Sequence, residues 1–236
     1  MNPHRLTLPV SLFLLTGLLS AEICVSKTPG GGRLAVVVDE RLAALRSTPD
    51  LSGRLVRRLG RGRFVAIRGT RTTPDGVVFY LVNVTSRTHG WIQREAVVSA
   101  ARAGDDGRLL DLIKASAGFD CIVRARIFLN NFVRSPLRPQ VLLLLSDAAE
   151  QQAARLSRDA AQRLKEVPRD SEFTYFLNYT GLDRYNRQHV TFIFDRITKR
   201  FHYDGAALRE LIRRYPNSPE ALEARKRLVQ LTQLKK

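Results

Sequence analysis

The chain is poor in the residues that carry redox and metal chemistry. Its 236 residues include two cysteines, four histidines, one methionine and one tryptophan. Two cysteines cannot form a disulfide framework, and no pair of histidines or cysteines has the spacing of a zinc site. A glycine-rich phosphate-binding motif is missing as well. The sequence therefore predicts neither a metal nor a cofactor.

Acidic residues are also scarce, and long apolar runs are missing. Lysine and arginine number 39 against 22 aspartates and glutamates, which gives a formal net charge of +17. No apolar run reaches the roughly 20 residues that a membrane-spanning helix needs. The 44% hydrophobic and 26% charged residues are ordinary globular usage. This composition excludes disorder over the whole chain and fits one large domain or two small ones.

The first 26 residues have the pattern of an export signal. Arg5 and the amino terminus supply positive charge, and a mostly apolar stretch runs from Leu6 to Leu19. That stretch suits a secretory signal and is too short to span a bilayer. Cleavage at Ser26 or Ala21, lipidation of Cys24 and an uncleaved anchor are the alternatives. We expect a signal peptide over 1–26 and a periplasmic or secreted protein.

Short apolar segments between turn residues predict about six strands in residues 33–100. Strong turn signals are Thr48-Pro49-Asp50, Gly60-Arg61-Gly62 and Thr73-Pro74-Asp75-Gly76. The longest predicted strand, Val77–Val84, places Val78, Tyr80, Val82 and Val84 on one face. Because so many short strands need closure to bury a core, the pattern predicts a small β-barrel.

Four segments of this region, in this order, resemble the bacterial Src-homology-3-like domain: Leu42–Pro49, Gly60–Gly62, Phe79–Val82 and Thr88–Ile92. The run Gly90-Trp91-Ile92 matches the strand that closes the barrel in that family. Leu45, Thr48 and Phe79 depart from the residues usual there. The resemblance implies a barrel over 33–100 that serves as a binding or spacer module for cell-wall or envelope ligands.

Three residues of the predicted barrel are candidate binding residues. Trp91 would stack on a sugar or a peptide if it lined a groove, and would pack if it belonged to the core. Arg46 and Tyr80 carry the same two alternatives, contact residue or scaffold.

Residues 106–236 show helical spacing of leucine and alanine, with predicted helices near 108–117, 120–133, 137–166, 203–215 and 219–232. Ser135-Pro136 and Ser218-Pro219, 83 residues apart, have an aromatic residue three positions before each serine. The segment Tyr203–Ala224 resembles a tetratricopeptide-type unit of bacterial envelope assembly proteins. The resemblance implies an all-α repeat domain over 106–236. The aromatic residues between 170 and 200 complete its core or line a peptide groove.

A catalytic alternative rests on Cys121. Gly118-Phe119-Asp120-Cys121 resembles the Asp-Cys start of cell-wall endopeptidases, with His189 as the base. Against this, Cys121 lies on an apolar helical face, whereas a thiolate nucleophile needs exposure and a positioned base.

The basic charge suggests acidic partners. Clusters such as Arg57-Arg58 and Arg225-Lys226-Arg227 would suit phosphates, but an export signal argues against nucleic acid. Outside the cytoplasm the natural acidic partners are anionic lipid, lipopolysaccharide or a wall polymer. We therefore predict an α+β, non-enzymatic envelope protein. It would bind an envelope protein or a cell-wall polymer, with association at a membrane surface as a further expectation.

Overall fold

The computed structural model describes residues 33–164 and 179–233. The predicted signal peptide over 1–26, Cys24 and the leader at 27–32 lie outside this part of the chain, as do Phe173, Tyr175 and Phe176. The amino-terminal strands are β1 Arg33–Val37, β2 Ala44–Arg46, β3 Leu55–Arg58, β4 Phe64–Thr72, β5 Val78–Asn83, β6 His89–Gln93 and β7 Val97–Val98.

These strands form one open antiparallel sheet in the order β3-β2-β6-β5-β4-β1-β7. The predicted closed barrel is therefore wrong: β3 and β7 are the two edges, and within the described residues they do not pair. The predicted face of β5 is confirmed, because Val78, Tyr80, Val82 and Val84 all join the core on the inner side of the sheet.

The sheet needs no closure because helices cover part of its other side. Val36, Val38 and Val98 belong to the same core as the helical half, whereas Ala35 and Val37 face the inner core of the sheet. The alternation of side chains along β1 therefore serves two cores at once. The strand pattern alone does not show this contribution of the helices.

The carboxyl-terminal half contains helices and a β-hairpin. Its elements are α1 Asp105–Lys114, α2 Gly118–Asn131, α3 Arg138–Leu164, α4 Asp183–Asn186, β8 Phe192–Asp195, β9 Arg200–Tyr203, α5 Ala206–Arg214 and α6 Pro219–Gln233. The start of α6 follows the predicted signal, since Pro219 is its first residue and the Ser218 hydroxyl accepts a hydrogen bond from the Ala221 N–H at 3.2 Å.

The predicted tetratricopeptide-like repeat domain is wrong. The hairpin β8–β9 separates the two helix pairs, and α3, 27 residues long, packs against α2, α5, α6 and β9. The two Ser-Pro segments therefore do not mark stacked equivalent units. Tyr215, the aromatic residue three positions before Ser218, packs against the core and accepts a hydrogen bond from Arg138 Nε at 3.0 Å. Tyr179, Tyr185 and Phe192 are buried, as their core interpretation predicted.

Polar contacts fix the helical half to the sheet. Arg124 of α2 is buried, donates to the Val38 carbonyl at 3.2 Å and lies 3.6 Å from Asp39 Oδ2. Arg61, in the turn before β4, donates to Asp120 of α2 at 2.7 Å. Both contacts join a residue of α2 to a residue of the amino-terminal sheet region. The sheet and the helical half therefore share one interface.

Candidate functional site

A row of paired residues crosses the outer face of the sheet. Leu55 of β3 pairs with Arg46, Arg46 pairs with Trp91, Trp91 pairs with Leu81, and Leu81 pairs with Gly69. Directly paired residues lie on the same face of a sheet. Leu55 is exposed and the other members are half-buried. The row therefore presents Trp91, the sole tryptophan, partly open to solvent between an arginine and a leucine.

Gly90 allows β2 to lie close to β6 at the Arg46–Trp91 pair. A Cβ at this position would lie 2.6 Å from the Arg46 carbonyl oxygen and 2.9 Å from Leu45 Cγ. Only glycine lets β2 approach β6 this closely without a shift of the backbone. The spacing brings Arg46 beside Trp91.

Arg46 also anchors the loop that follows β2. Its Nη1 donates to the Gly53 carbonyl at 2.7 Å. At the tip of the same loop, hydrogen bonds from the backbone and side chain of Ser52 lower the pKa of the Asp50 carboxyl, and the charge of Arg46 adds to the effect. The loop therefore holds an ionised carboxylate near the row.

A groove of about 960 Å³ lies between this loop and the β4–β5 turn. Its walls include Pro49 and Asp50 on one side and Arg71 and Asp75 on the other, and Phe79 lines it. Phe79 is fully buried and occupies the same face as Leu81 and Trp91, because it lies two residues before Leu81 on β5. Leu81 of the row is thus a near neighbour of Phe79 beneath the groove, and we call the groove and the row together the Trp91 surface.

Of the three predicted binding residues, the structure brings two together. Arg46 and Trp91 are direct partners across β2 and β6. Tyr80 points to the opposite face, is buried in the inner core, and its hydroxyl accepts a hydrogen bond from Arg102 Nη1 at 2.7 Å. Tyr80 is thus a scaffold residue.

Sequence reasoning missed Phe79, Asp50 and Asp75 as groove residues. Two signals could have identified them. The turns at 48–50 and 73–76 both carry an aspartate, and the two-residue period of β5 places Phe79 with Leu81, opposite Tyr80. The family resemblance marks Phe79 only as a departure from the usual residue.

The catalytic alternative finds no support in the geometry. Cys121 is a free, buried cysteine, and burial raises the pKa of its thiol even though Arg124 acts in the opposite direction. His189 is exposed and has φ of 53°, and its carbonyl accepts a hydrogen bond from Arg126. This thiol has neither the exposure nor the lowered pKa of a nucleophile.

The residues of the basic clusters differ in whether they are exposed or held in ion pairs. Arg57, Arg58, Arg225 and Lys226 are exposed, whereas Arg61 is paired with Asp120 and Arg227 with Asp147 and Glu223. Within 33–164 and 179–233 no three histidine, cysteine or acidic side chains gather as metal ligands would. The helices in the same ranges include none with the length and apolarity to cross a membrane.

No family model, curated protein or solved structure matches this chain.

Proposed function

We propose that this protein is an exported, non-enzymatic envelope adaptor that binds an extended segment of a partner protein at the Trp91 surface. The observation that carries the proposal is the groove between the 48–51 loop and the β4–β5 turn, which lies next to the half-exposed row of Arg46, Trp91 and Leu81. Its volume falls within the range of about 300–1,000 Å³ typical of ligand sites.

The side chains of the groove favour a peptide. The exposed Leu51 side chain offers an apolar contact to a peptide side chain, and the exposed side chains of Thr48 and Thr72 carry hydroxyl groups that suit a peptide backbone. Trp91 beside the groove supplies a large, rigid contact area, as binding hot spots commonly do.

Charge selects the kind of peptide. Residues 33–100 contain five carboxylates, and two of them, Asp50 and Asp75, line the groove with a single cation, Arg71. On a strongly basic chain the groove lining thus has one more carboxylate than cations, and Arg46 of the row lies near Asp50. The groove therefore favours a partner segment that combines apolar with basic side chains over an anionic wall polymer.

The experiment is a selection of random dodecapeptides displayed on phage against the immobilised full chain. We expect enriched peptides that combine apolar and basic residues. Their affinity should fall at least about tenfold for Asp75→Arg, because a like charge at the groove repels them.

The matched control is Asp111→Arg, which makes the same change at an exposed position of α1 outside the groove and should leave the affinity unchanged. Equal affinity for both variants would place the peptide elsewhere. Binding of polyglutamate in place of the basic peptides would favour the anionic polymer.

A further inference from the structure

A small polar cavity lies where the start of α2 meets α3 and α4. Its volume is about 280 Å³. The residues that matter here are Gly118 and Phe119 of α2, Gln152 and Arg155 of α3, and Arg184 of α4. The cavity therefore gathers donors from three separate helices.

Gln152 brings a buried donor to this cavity. The residue is only 4% exposed. The Tyr185 hydroxyl accepts a hydrogen bond from Arg184 Nη2 at 2.8 Å and donates to Gln152 Oε1 at 3.0 Å. Among the described residues that is the one hydrogen bond of Gln152, so its Nε2 has no acceptor there. Because a buried amide N–H without an acceptor is costly, this nitrogen points to a ligand that supplies one.

Gly118 leaves space in front of this donor. A Cβ at this position would have Gln152 Nε2 at 3.5 Å and Arg155 Nη1 at 3.6 Å as its nearest neighbours. The φ of 64° favours glycine here as well. Two side-chain donors of α3 thus converge on the space that the missing side chain leaves open.

The partners of Arg184 leave its charge uncompensated. Its guanidinium carbon lies 5.1 Å from the centre of the Phe119 ring and 4.8 Å from that of the Tyr185 ring. Its hydrogen bond goes to the Tyr185 hydroxyl. Since both partners are neutral, they hold the guanidinium in place and leave its positive charge for an anion.

The start of α2 adds backbone donors. The first N–H groups of a helix have no partners within the helix, and no side chain caps α2 at Ala117. These groups carry the positive end of the helix dipole, which favours an anion.

Two aspartates also line the cavity, Asp120 and Asp159. Arg61, from the sheet side, donates to Asp120 at 2.7 Å, and this hydrogen bond lowers the pKa of the carboxyl. The charge of Asp120 is therefore already compensated. Asp159 is exposed to solvent, which leaves two arginines, Arg155 and Arg184, against one carboxylate.

We propose that this cavity binds a phosphate group, free or carried by a larger molecule. Gln152, Arg155 and Arg184 would be its side-chain donors, and the first N–H groups of α2 its backbone donors. Phosphate oxygens accept several hydrogen bonds at once, and the fork of arginine donors matches them. The site is built from α2, α3 and α4, apart from the Trp91 surface. The inference therefore goes beyond the proposed function, and its failure would leave the peptide site untouched.

Titration of the isotope-labelled full chain with inorganic phosphate at constant ionic strength tests the site by NMR. We expect saturable shifts of the backbone N–H signals of Phe119 and Asp120 and of the side-chain amide of Gln152. In a parallel titration, tighter binding of glycerol 3-phosphate would indicate a carried phosphate group, and equal or weaker binding would indicate free phosphate. Lack of saturable shifts with both compounds, or acetate binding as tightly as phosphate, would overturn the proposal.

Variants of α3 separate the donors from general charge. Gln152→Glu keeps the acceptor for Tyr185 and removes the Nε2 donor, so the affinity for phosphate should fall at least about tenfold. Arg155→Gln, a change at an exposed position, should lower it by a similar factor. The matched control is Arg158→Gln, at a neighbouring exposed position of α3 outside the cavity lining, which should leave the affinity unchanged. Equal affinity of the wild type, Gln152→Glu and Arg155→Gln would contradict the site.

Discussion

Arg46 on β2 lies directly across from Trp91 on β6, and the same arginine donates a hydrogen bond to the Gly53 carbonyl at 2.7 Å. One side chain thus links the sole tryptophan to the loop that walls the groove. Trp91 also lies on the strand next to β5, which carries the groove residue Phe79, so it can serve as a fluorescent reporter for this surface.

Substitution of Gly90 tests the contact between β2 and β6. Gly90→Ala places a methyl group 2.6 Å from the Arg46 carbonyl oxygen, so we expect a loss of about 1–3 kcal/mol in the free energy of unfolding, measured by urea denaturation. Gly60→Ala is the control, because nothing lies within 4 Å of a Cβ there. Equal stability of the two variants would show that β2 and β6 are not so close.

Tyr80→Phe distinguishes scaffold from contact residue. The change removes the hydroxyl that accepts from Arg102, which should lower the free energy of unfolding by about 0.5–1.5 kcal/mol. Affinity for a groove-selected peptide should stay unchanged, because Tyr80 faces the inner core. A loss of peptide affinity without a loss of stability would show that Tyr80 is a contact residue of the binding site.

The junction between the halves should weaken in acid. The hydrogen bond from Arg61 lowers the pKa of Asp120 in the folded protein, and the charges of Arg61, Arg124 and Arg41 act in the same direction. A carboxyl with a lowered folded pKa stabilises the protein fully above its unfolded value, near 3.8. That contribution is lost as the pH falls below this value.

Urea unfolding between pH 7 and pH 2.5 measures this effect. Asp120→Asn should be less stable than the wild type at pH 7, and the difference should shrink below about pH 4. The control Asp111→Asn, at an exposed position of α1, should follow the wild type at every pH. If the difference in the free energy of unfolding between Asp120→Asn and the wild type stayed constant across this pH range, the Arg61–Asp120 ion pair would not be its cause.

The Cys121 thiol should be protected in the folded protein. Burial raises its pKa, so a chain carrying Cys24→Ser should react with a thiol reagent at pH 8 far more slowly when native than in urea. Fast modification of the native protein would revive the cysteine peptidase alternative.

Local features were predictable from the sequence. The two-residue period of Val77–Val84 identified the inner face of β5, and Ser218-Pro219 located the start of α6, because strand alternation and helix capping depend on neighbouring residues. The partnership of Arg46 with Trp91 was not predictable, since it depends on the register of two strands that are about 45 residues apart in the sequence.

The predicted barrel and repeat domain were wrong for the same reason. Val36 and Val98 pack against helices that lie beyond residue 104, so the strand pattern alone could not show that the sheet stays open. The similarity of the two Ser-Pro segments gave no sign of the hairpin β8–β9 between them. Phe79, a departure from the family pattern, lies buried beneath the groove.

The emission of Trp91 is the most direct test of binding at the groove. On titration with a selected apolar and basic dodecapeptide, we expect a saturable blue shift and reduced acrylamide quenching, both weakened at least about tenfold in apparent affinity by Asp75→Arg and unchanged by Asp111→Arg. Peptide binding that leaves the emission and quenching of this sole tryptophan unaltered would contradict the proposed site.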